Sequence, residues 1–292
     1  MADLNKRLNS NVSGNFYVDS TCINCDTCRQ LAPGSFAEAG EHSAVIRQPE
    51  GDGLIHQAYQ ALLACPVGSI GTERSDRARV QAAMASFPLR LEEGVFYCGF
   101  NSEKSFGANS YFVQHPDGNW LVDSPRYLKH LVEAFEGMGG IRYIFLTHED
   151  DVADAAKYAK RFGARRIIHR ADARAMPDAE WIVDDTGKVP LAPEFHMIPV
   201  PGHTPGSSAL LYADRFLFTG DHLWWEPDSR RLGSPRELVW DRDRLIRSIE
   251  KLLDYRFEWV LAGHGDRVHL SQDEVRTKLK ELLERRRSAV RA

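Results

Sequence analysis

From about residue 90 onward, short apolar runs alternate with longer stretches in which apolar residues recur every three or four positions. The short runs predict strands, and the longer stretches predict amphipathic helices. The predicted strands cover residues 94–98, 110–114, 120–123, 143–146, 166–169, 194–198, 208–212, 216–219 and 259–262. The predicted helices cover residues 127–138, 152–162, 242–254 and 271–286. Strands interleaved with helices indicate a layered α/β architecture.

The first 75 residues have a different texture, with short elements rich in Cys, Gly and Pro. A polar stretch over 73–86, which ends at Phe87-Pro88, predicts a linker helix because it contains helix-forming residues and stops at a proline. The chain is therefore expected to divide into a first domain over 1–75, a linker over 76–90 and a second domain over 91–292.

Composition and charge exclude some partners. The 292 residues have a formal net charge of −4, so neither nucleic acid nor an anionic membrane is an expected partner. The N-terminus lacks the basic and apolar regions of a signal peptide, and no apolar run reaches membrane-spanning length, so we expect a cytosolic protein. A solvated helix end that complements the helix dipole explains the basic residues Arg285, Arg286, Arg287 and Arg291.

Four of the five cysteines indicate a metal centre. Cys22, Cys25 and Cys28 lie within seven residues, and Cys65, which precedes a proline, lies much later in the chain. Three close thiolates and a remote Cys-Pro suit a 4Fe–4S cluster, because a short loop can reach three corners of the cubane. Structural zinc more often uses two paired Cys-x-x-Cys motifs, although zinc and unligated cysteines remain alternatives. The segment over 15–72 resembles single-cluster bacterial ferredoxins.

The fifth cysteine, Cys98, lies in the predicted strand over 94–98 beside other apolar residues. A lone cysteine in an apolar strand is usually a small buried hydrophobic residue. A disulfide framework is not expected, because three of the five cysteines crowd into one loop of a chain without a secretion signal.

Four further segments each end an apolar run with residue types that bind divalent metals. They contain His148, His203, Asp221 and His264, and glycines adjoin the last three of these residues. Ligands at strand ends are held rigidly by the sheet, and adjacent glycines let the backbone approach a metal closely. Histidine and carboxylate ligands with room for water are the usual arrangement of a catalytic metal site.

These segments, in this order, resemble the metallo-β-lactamase superfamily over about 92–270. The resemblance implies an αββα sandwich with metals at the edges of its sheets, here preceded by a small α+β ferredoxin-like domain. It also implies that His203, Asp221 and His264 are ligands, with Asp221 as the bridging carboxylate when two metals are bound. His148 corresponds to the first histidine of the family's H-x-H-x-D-H motif.

The rest of that motif departs from the family. Without gaps, Asp150, Val152 and Ala153 replace its second histidine, its aspartate and its third histidine. Shifted by two residues, the motif's aspartate falls on Asp154, one turn from the metal on a helix that begins near Asp151. The predicted ligands are therefore His148, Asp150, Asp154, His203, Asp221 and His264. The predicted catalytic residues are Asp221, Asp154 and His222.

Exchange of imidazole for carboxylate hardens the site and favours iron or manganese over zinc. The expected cofactors are one 4Fe–4S cluster and one or two divalent ions, iron or zinc. His148, His203 and Asp221 alone have the composition of the two-histidine, one-carboxylate triad of non-haem iron oxygenases. By family resemblance, persulfide dioxygenases of this fold use the same type of triad.

Two features directly after Asp221 concern the surroundings of the site. His222 is interpreted as a group that supports the ligands or faces the substrate. Trp224 and Trp225 either line a pocket or pack in the core, and the sequence favours neither interpretation.

Three functions are compatible with these motifs. The first is a metallohydrolase that attacks an ester, thioester, lactone or phosphoester of a small-molecule substrate. The second is an oxidoreductase in which the cluster passes electrons between a redox partner protein and a non-haem iron site, as flavodiiron members of the superfamily do with a flavin module. The third is a non-catalytic redox sensor or electron carrier. The retained ligands argue against the third, because a buried ligand without its metal is an unsatisfied polar group.

Overall fold

The computed structural model describes residues 2–92 and 94–291. The N-terminal module contains two small two-stranded sheets and two helices. Its elements are β1 (Phe16–Val18), α1 (Thr27–Leu31), β2 (Phe36–Ala39), β3 (His42–Val45), α2 (Gly51–Ala64) and β4 (Ile70–Thr72). Strand β1 pairs antiparallel with β4, and β2 pairs antiparallel with β3. The pairing of β1 with β4 brings the two ends of the module together.

Helix α2 packs through small side chains. Ala58, Ala61 and Ala64 recur every three residues and are fully buried, which allows neighbouring helices to approach closely. Those neighbours are α1 and α3 (Arg77–Ala85). The linker helix predicted over 73–86 is thus present in a shorter form, packed against the N-terminal module.

The second domain opens with a seven-stranded sheet and its two helices. In chain order the elements are β5 (Leu89–Glu92), β6 (Val95–Tyr97), β7 (Tyr111–Val113), β8 (Trp120–Val122), α4 (Lys129–Gly137), β9 (Tyr143–Phe145), α5 (Ala155–Phe162), β10 (Arg165–His169) and β11 (Trp181–Val183). Strands β5 to β8 pair antiparallel, whereas β8 to β11 pair in parallel. Because parallel strands end at the same edge, the residues after β8 and β9 lie close together.

The rest of the chain forms a six-stranded sheet, a hairpin and two helices. In chain order the elements are β12 (Val189–Ala192), β13 (Phe195–Pro199), β14 (Ser208–Tyr212), β15 (Phe216–Gly220), β16 (Trp224–Glu226), β17 (Arg231–Gly233), α6 (Arg242–Lys251), β18 (Trp259–Ala262), β19 (Val268–His269) and α7 (Gln272–Arg291). The sheet order is β12-β13-β14-β15-β18-β19, and β16 pairs with β17 separately. Strands β15 and β18 are parallel, so the residues that follow them share one edge.

The two sheets pack face to face through aromatic side chains. Trp120 of the first sheet stacks on Phe195 of the second, with ring centroids 4.2 Å apart. On the outer face of the first sheet, Phe135 of α4 stacks on Phe112 at 4.9 Å. Helices α6 and α7 cover the outer face of the second sheet. Helices on both faces of two packed sheets form an αββα sandwich, which confirms the predicted fold.

Short 3-10 turns occupy several connections, at Leu4–Lys6, Glu103–Ser105, Glu149–Asp151, Arg170–Ala175 and Leu252–Asp254. The helix predicted over 152–162 starts later than expected, because Ala153 has a φ of 35° and Asp154 becomes the N-terminal cap of α5. None of the described helices combines the length and the apolar character needed to cross a membrane.

Candidate metal centres

Four cysteines of the N-terminal module surround one small cavity. Cys22 and Cys25 lie in the loop before α1, Cys28 lies in the first turn of that helix, and Cys65 directly follows α2. Thr27 and Ser43 also line this cavity. The loop and the end of α2 therefore converge their thiols on a common centre.

The backbone of this loop directs amide groups toward sulfur. The amides of Asn24 and Ser43 donate to Cys22 Sγ at 3.5 and 3.4 Å. Asn24 and Asp26 have φ values of 57° and 61°, a left-handed conformation that Asn and Asp adopt more readily than most residues. These turns let successive thiols and amides face the same cavity.

The separation and burial of the thiols fit an iron–sulfur cluster. Among the described residues, no three of the four sulfur atoms lie within 4.8 Å of one another, whereas sulfurs on one tetrahedral zinc lie roughly 3.8 Å apart. Burial raises the pKa of Cys25 to about 11 and also raises the pKa of Cys28. A cationic centre is needed to hold such buried groups as thiolates. The donor set therefore suits a 4Fe–4S cubane.

A second group of metal-binding side chains lies where four strands end. His148 follows β9, His203 lies in the turn between β13 and β14, Asp221 directly follows β15, and His264 follows β18. Two groups of ligand atoms form there, and within each group all atoms lie within 4.8 Å of one another. The first group is His148, His203 and Asp221, and the second is Asp151, Asp221 and His264. Asp221 belongs to both groups.

Asp221 faces the two groups with different oxygen atoms. Its Oδ1 lies 2.7 Å from His264 Nδ1, and its Oδ2 lies 3.7 Å from Nε2 of both His148 and His203. Burial opposes its charge, but the three imidazoles hold the pKa of Asp221 below its usual range. Burial likewise opposes protonation of His264, yet the Asp221 carboxylate raises the pKa of His264 to about 10. A carboxylate placed in this way can bridge two cations.

Two neighbouring carboxylates extend these groups. Asp150 Oδ2 lies 3.4 Å from His203 Nε2 and 3.7 Å from His148 Nε2, so the structure places Asp150 beside the first group. Asp151 is buried, and neither of its carboxylate oxygens has a hydrogen-bond partner among the described residues. Burial and the nearby Asp221 carboxylate raise the pKa of Asp151 well above its usual range. A bound cation would favour its ionised form.

Asp154, by contrast, joins neither group. Its Oδ1 pairs with Lys104 Nζ at 2.7 Å and Lys157 Nζ at 3.1 Å. Its Oδ2 accepts a hydrogen bond from the Tyr127 amide at 3.0 Å. The predicted ligand and catalytic roles of Asp154 are therefore corrected, because the positive φ of Ala153 ends the turn before it and other partners occupy both of its oxygens.

The sequence does not predict Asp151 as a ligand. Without gaps the family's aspartate falls on Val152, and with a shift of two it falls on Asp154, so both alignments pass over Asp151. A signal was available in the three consecutive acidic residues Glu149–Asp151, which form a 3-10 turn whose last member is buried. A shift of one residue toward the N-terminus would have selected Asp151.

Hydrogen bonds behind the site orient two of the imidazoles. Thr147 Oγ1 donates to Asp123 at 2.9 Å and accepts from His148 Nδ1 at 3.0 Å. His203 Nδ1 donates to the Leu238 carbonyl oxygen at 2.7 Å. These bonds leave the Nε2 atom of each ring as the ligand atom. Both Nε2 atoms are buried and have no hydrogen-bond partner among the described residues, which fits a bound cation.

Most of the chain matches the sequence models of two known protein families. Residues 91–285 match the family described as the metallo-beta-lactamase superfamily. The chain belongs to the metallo-β-lactamase superfamily. Residues 18–72 match the family described as the 4Fe-4S single cluster domain of Ferredoxin I. Both resemblances inferred from the sequence are thus confirmed.

Within the superfamily, the chain is similar to hydroxyacylglutathione hydrolases. It is 34% identical over 119 residues to one from Acidiphilium cryptum (strain JF-5), which covers 39% of this chain and 49% of that protein. It is 38% identical over 106 residues to one from Anaeromyxobacter dehalogenans (strain 2CP-C), which covers 34% and 40%. These matches span less than half the length of both relatives.

A solved metallo-beta-lactamase family protein from Thermus thermophilus shares the fold. Its sequence is 18% identical to this chain, and the two structures agree with a TM-score of 0.50. The match covers 68% of this chain and 81% of that chain. At this level of identity the likeness concerns the fold alone.

The metallo-β-lactamase domain shares one open pocket with the N-terminal module. The pocket has a volume of about 1090 Å³. Its walls include the candidate metal ligands Asp151, His203 and Asp221, together with Cys25 and Asp26 of the loop over residues 22–28, hereafter the cysteine loop. The N-terminal module therefore supplies one wall of the pocket that contains the candidate divalent-metal ligands.

Asn101 connects the cysteine loop to the metallo-β-lactamase domain. Its Nδ2 donates to the Gly107 carbonyl oxygen at 2.7 Å, and lies 3.1 Å from Thr27 Oγ1 and 3.2 Å from Asn109 Oδ1. The Asn109 amide in turn donates to the Gly263 carbonyl oxygen at 2.6 Å, in the turn after β18. Hydrogen bonds therefore run continuously from the cysteine loop to the turn that carries His264.

Two glycines allow close approach to ligands of the two centres. Gly107 has a φ of 89°, and an added Cβ would lie 2.7 Å from Cys25 Cβ. An added Cβ at Gly263 would lie 2.8 Å from Asp221 Oδ1. A larger side chain at either position would displace a ligand loop, so these contacts set how closely each loop packs.

The remaining residues that the sequence analysis singled out lie outside both ligand groups. His222 is buried, and burial lowers its pKa to about 3. It belongs to neither group of ligand atoms, so its predicted catalytic role gains no support from geometry. Trp224 lines the pocket, whereas Trp225 packs against the outer core. Cys98 is fully buried, as expected of a small hydrophobic residue.

Proposed function

We propose that the protein is a hydrolase that binds two divalent ions, with Asp221 as the carboxylate shared between them. The observation that carries this proposal is the two-sided position of Asp221. One of its oxygens faces His264, and the other faces His148 and His203. A shared carboxylate between two histidine-containing groups is suited to a pair of ions, and membership of the metal-dependent hydrolase superfamily supports the same chemistry.

The proposed ligands follow the groups described above. Those of the first ion are His148, Asp150, His203 and Asp221, and those of the second ion are Asp151, Asp221 and His264. When bound, such ions polarise a carbonyl group and lower the pKa of water. The chain contributes rigidity, because most of the ligands lie next to a strand end and two of the imidazoles are oriented from behind.

Carboxylates shape the metal preference of this site. Asp150, Asp151 and Asp221 offer hard oxygen ligands, and the position of Asp150 is a histidine in the family's motif. Oxygen ligands favour iron and manganese relative to an all-imidazole set. We propose iron or manganese as the ions that support turnover.

The similar proteins support a substrate class. They are named hydroxyacylglutathione hydrolases, and we propose a small-molecule thioester as the substrate of this chain. The pocket of about 1090 Å³ is large enough for such a molecule. Trp224 supplies an aromatic wall against which its apolar part can pack.

The test uses anaerobically purified protein and a hydroxyacylglutathione as substrate. Removal of the non-cluster ions by a chelator should abolish hydrolysis, and iron or manganese should restore it better than zinc. Asp154→Asn provides a matched control, because this neighbouring carboxylate pairs with lysines and lies outside the ligand groups. Hydrolysis that persists without non-cluster metal would rule out the proposed mechanism.

A specific observation favours a second function. Cys25 of the cysteine loop and Asp221 of the divalent site line the same pocket, and hydrogen bonds through Asn101 and Asn109 connect their loops. Iron–sulfur clusters are electron-transfer groups. We therefore propose, as the alternative, an oxidoreductase in which electrons from a redox partner protein pass through the cluster to iron at the divalent site.

Reduction of the protein distinguishes the two functions. If the site is redox-coupled, dithionite should reduce both centres, and cluster-free Cys25→Ser protein should keep its divalent metal but lose turnover that depends on an electron donor. Hydrolysis consumes no electron, so a plain hydrolase would cleave its thioester equally fast without the cluster. Cys98→Ala is the control, because Cys98 is buried outside the cluster cavity and its loss should leave both centres intact.

A further inference from the structure

A third cavity, lined by arginines, lies between the β16–β17 hairpin and helices α6 and α7. It has a volume of about 320 Å³, and its floor includes the buried apolar side chains of Leu245 and Leu282. The charged lining residues are one glutamate, Glu226, and four arginines, hereafter the arginine cluster, Arg236, Arg242, Arg285 and Arg286. The cavity thus combines an apolar floor with a cationic rim.

Glu226 is the one carboxylate among the lining residues, and its close partners lie outside the arginine cluster. It pairs with Arg231 Nε at 2.5 Å and accepts a hydrogen bond from Ser229 Oγ at 3.0 Å. Burial opposes its charge, but these two partners hold the pKa of Glu226 below its usual range. Among the described residues, the members of the arginine cluster form no ion pair within 4.0 Å. Their positive charge therefore remains available to a ligand.

Arg286 lies among like charges of the arginine cluster. Burial lowers the pKa of Arg286, and the charges of Arg236, Arg285 and Arg242 lower it further, whereas the Glu226 carboxylate partly offsets this shift. Folding therefore holds like charges around one cavity, which is unfavourable unless an anion binds there.

Two members are held in position by the hairpin. Arg285 Nη2 donates to the Leu232 carbonyl oxygen at 2.7 Å. Arg286 Nε donates to Ser234 Oγ at 2.8 Å, and its Nη2 donates to the Ser234 carbonyl oxygen. Binding would therefore require little further ordering of these two side chains.

We propose that the arginine cluster binds the phosphate or pyrophosphate group of a small-molecule ligand. Guanidinium groups match phosphate oxygens in a bidentate geometry and remain charged at all physiological pH values. Four of them, with the one carboxylate already paired, suit a group that carries more than one negative charge. The floor formed by Leu245 and Leu282 suits an apolar part of the same ligand.

The cavity adjoins the pocket that contains the metal ligands. Pro235 and Arg236 line both spaces. Leu238, two residues further on, accepts the hydrogen bond from His203. The phosphate group can come from either of two sources. It can be the far end of a substrate whose reacting end lies in the metal pocket, or it can belong to a separate ligand.

Calorimetric titration of the full-length, metal-loaded protein with pyrophosphate tests the binding site. The double variant Arg236→Ala/Arg242→Ala removes two exposed members of the arginine cluster and should bind at least about tenfold more weakly. Arg247→Ala is the matched control, because Arg247 is exposed on α6 but lies outside this cavity. The titrations are repeated in the Asp221→Ala background, since pyrophosphate also binds divalent ions. Absence of binding to wild type, or equal binding to the double variant and the control, overturns the proposal.

The KM values for two thioester substrates then distinguish a phosphate on the substrate from a separate ligand. Acetyl-coenzyme A is a thioester with phosphate groups, whereas a hydroxyacylglutathione is a thioester without them. If the double variant raises KM for acetyl-coenzyme A alone, the phosphate belongs to the substrate, and this assignment rests on the proposed hydrolase. If pyrophosphate binding is lost but neither KM changes, the cluster binds a separate ligand. Failure of both thioesters to react counts against the hydrolase and leaves the calorimetric result to decide the binding site.

Discussion

The two candidate metal centres of this chain are assembled in opposite ways. In the N-terminal module, Cys22, Cys25 and Cys28 come from one short loop, so the local sequence already brings three donors together. In the metallo-β-lactamase domain, the donors come from separate strand ends between His148 and His264, and only the two packed sheets bring them together. A local centre can therefore be predicted residue by residue, whereas a distributed centre depends on the conformation at each strand end.

The largest expected effect comes from Asp221, the residue on which both halves of the distributed centre depend. Asp221→Ala should remove the non-cluster ions and lower kcat/KM by more than about 100-fold, because loss of even indirect ligand support costs about 10–100-fold. Metal analysis should still find the cluster iron. Unchanged non-cluster metal in this variant would mean that the divalent site is wrongly located.

Loss of the cluster from the N-terminal module should leave the divalent metal of the second domain in place. Anaerobic protein should be brown, with about four iron and four sulfide per chain assigned to the cluster. Cys25→Ser should bleach this colour while the non-cluster metal stays bound, because Cys25 belongs to neither group of divalent ligands. Cys98→Ala should keep the colour. A colourless reconstituted wild type, or protein with two zinc ions and no sulfide, would contradict the cluster assignment.

Much of the fold is predictable because alternating apolar runs depend mainly on local sequence. Strands Ser208–Tyr212 and Trp259–Ala262 coincide with the predicted ranges. Strands such as Trp181–Val183 are not predicted, since they are short and partly exposed and are held by pairing with a neighbour. Helix Gly51–Ala64 is not predicted either, because it buries small alanines and begins with glycines.

Prediction of the candidate site from the sequence also succeeds for some residues and fails for others. His148, His203, Asp221 and His264 are recognisable because each follows an apolar strand. The choice between Asp151 and Asp154 depends on the φ of Ala153, which the local sequence does not determine. Tertiary contacts decide it, since Lys104 and Lys157 bind the Asp154 carboxylate and draw it away from the ligand groups.

Asp151 and Asp154 should respond differently to the loss of their carboxylate charge. Asp151→Asn removes one buried carboxylate charge from the second ligand group and should weaken binding of one ion by about 10–100-fold while the other ion remains. Asp154→Asn should leave both ions bound. Titration of metal into chelator-treated variants measures both affinities, and equal effects of the two substitutions would contradict the assignment of Asp151.

The smallest expected effect concerns the junction between the centres, where Asn101 is buried and makes contacts with both sides. Asn101→Ala removes its bonds to the Gly107 carbonyl and to the Tyr97 hydroxyl, and it should lower the free energy of unfolding by about 2–3 kcal/mol. Asn119→Ala is the matched control, because Asn119 is also buried and bonded to the Met138 and Gly140 carbonyls, but lies away from the cysteine loop.

Denaturant unfolding should show similar losses of stability for Asn101→Ala and Asn119→Ala, so stability alone does not separate them. The EPR spectrum of the reduced cluster does, because only Asn101 reaches Thr27, whose hydroxyl lies 3.4 Å from Cys25 Sγ. Hydrogen bonds near a cluster sulfur alter its electronic environment, so the signal should change in Asn101→Ala and remain as in wild type in Asn119→Ala. Identical spectra would show that the junction holds the two domains together without influencing the cluster, and the redox alternative would then lose the connection through Asn101 that supports it.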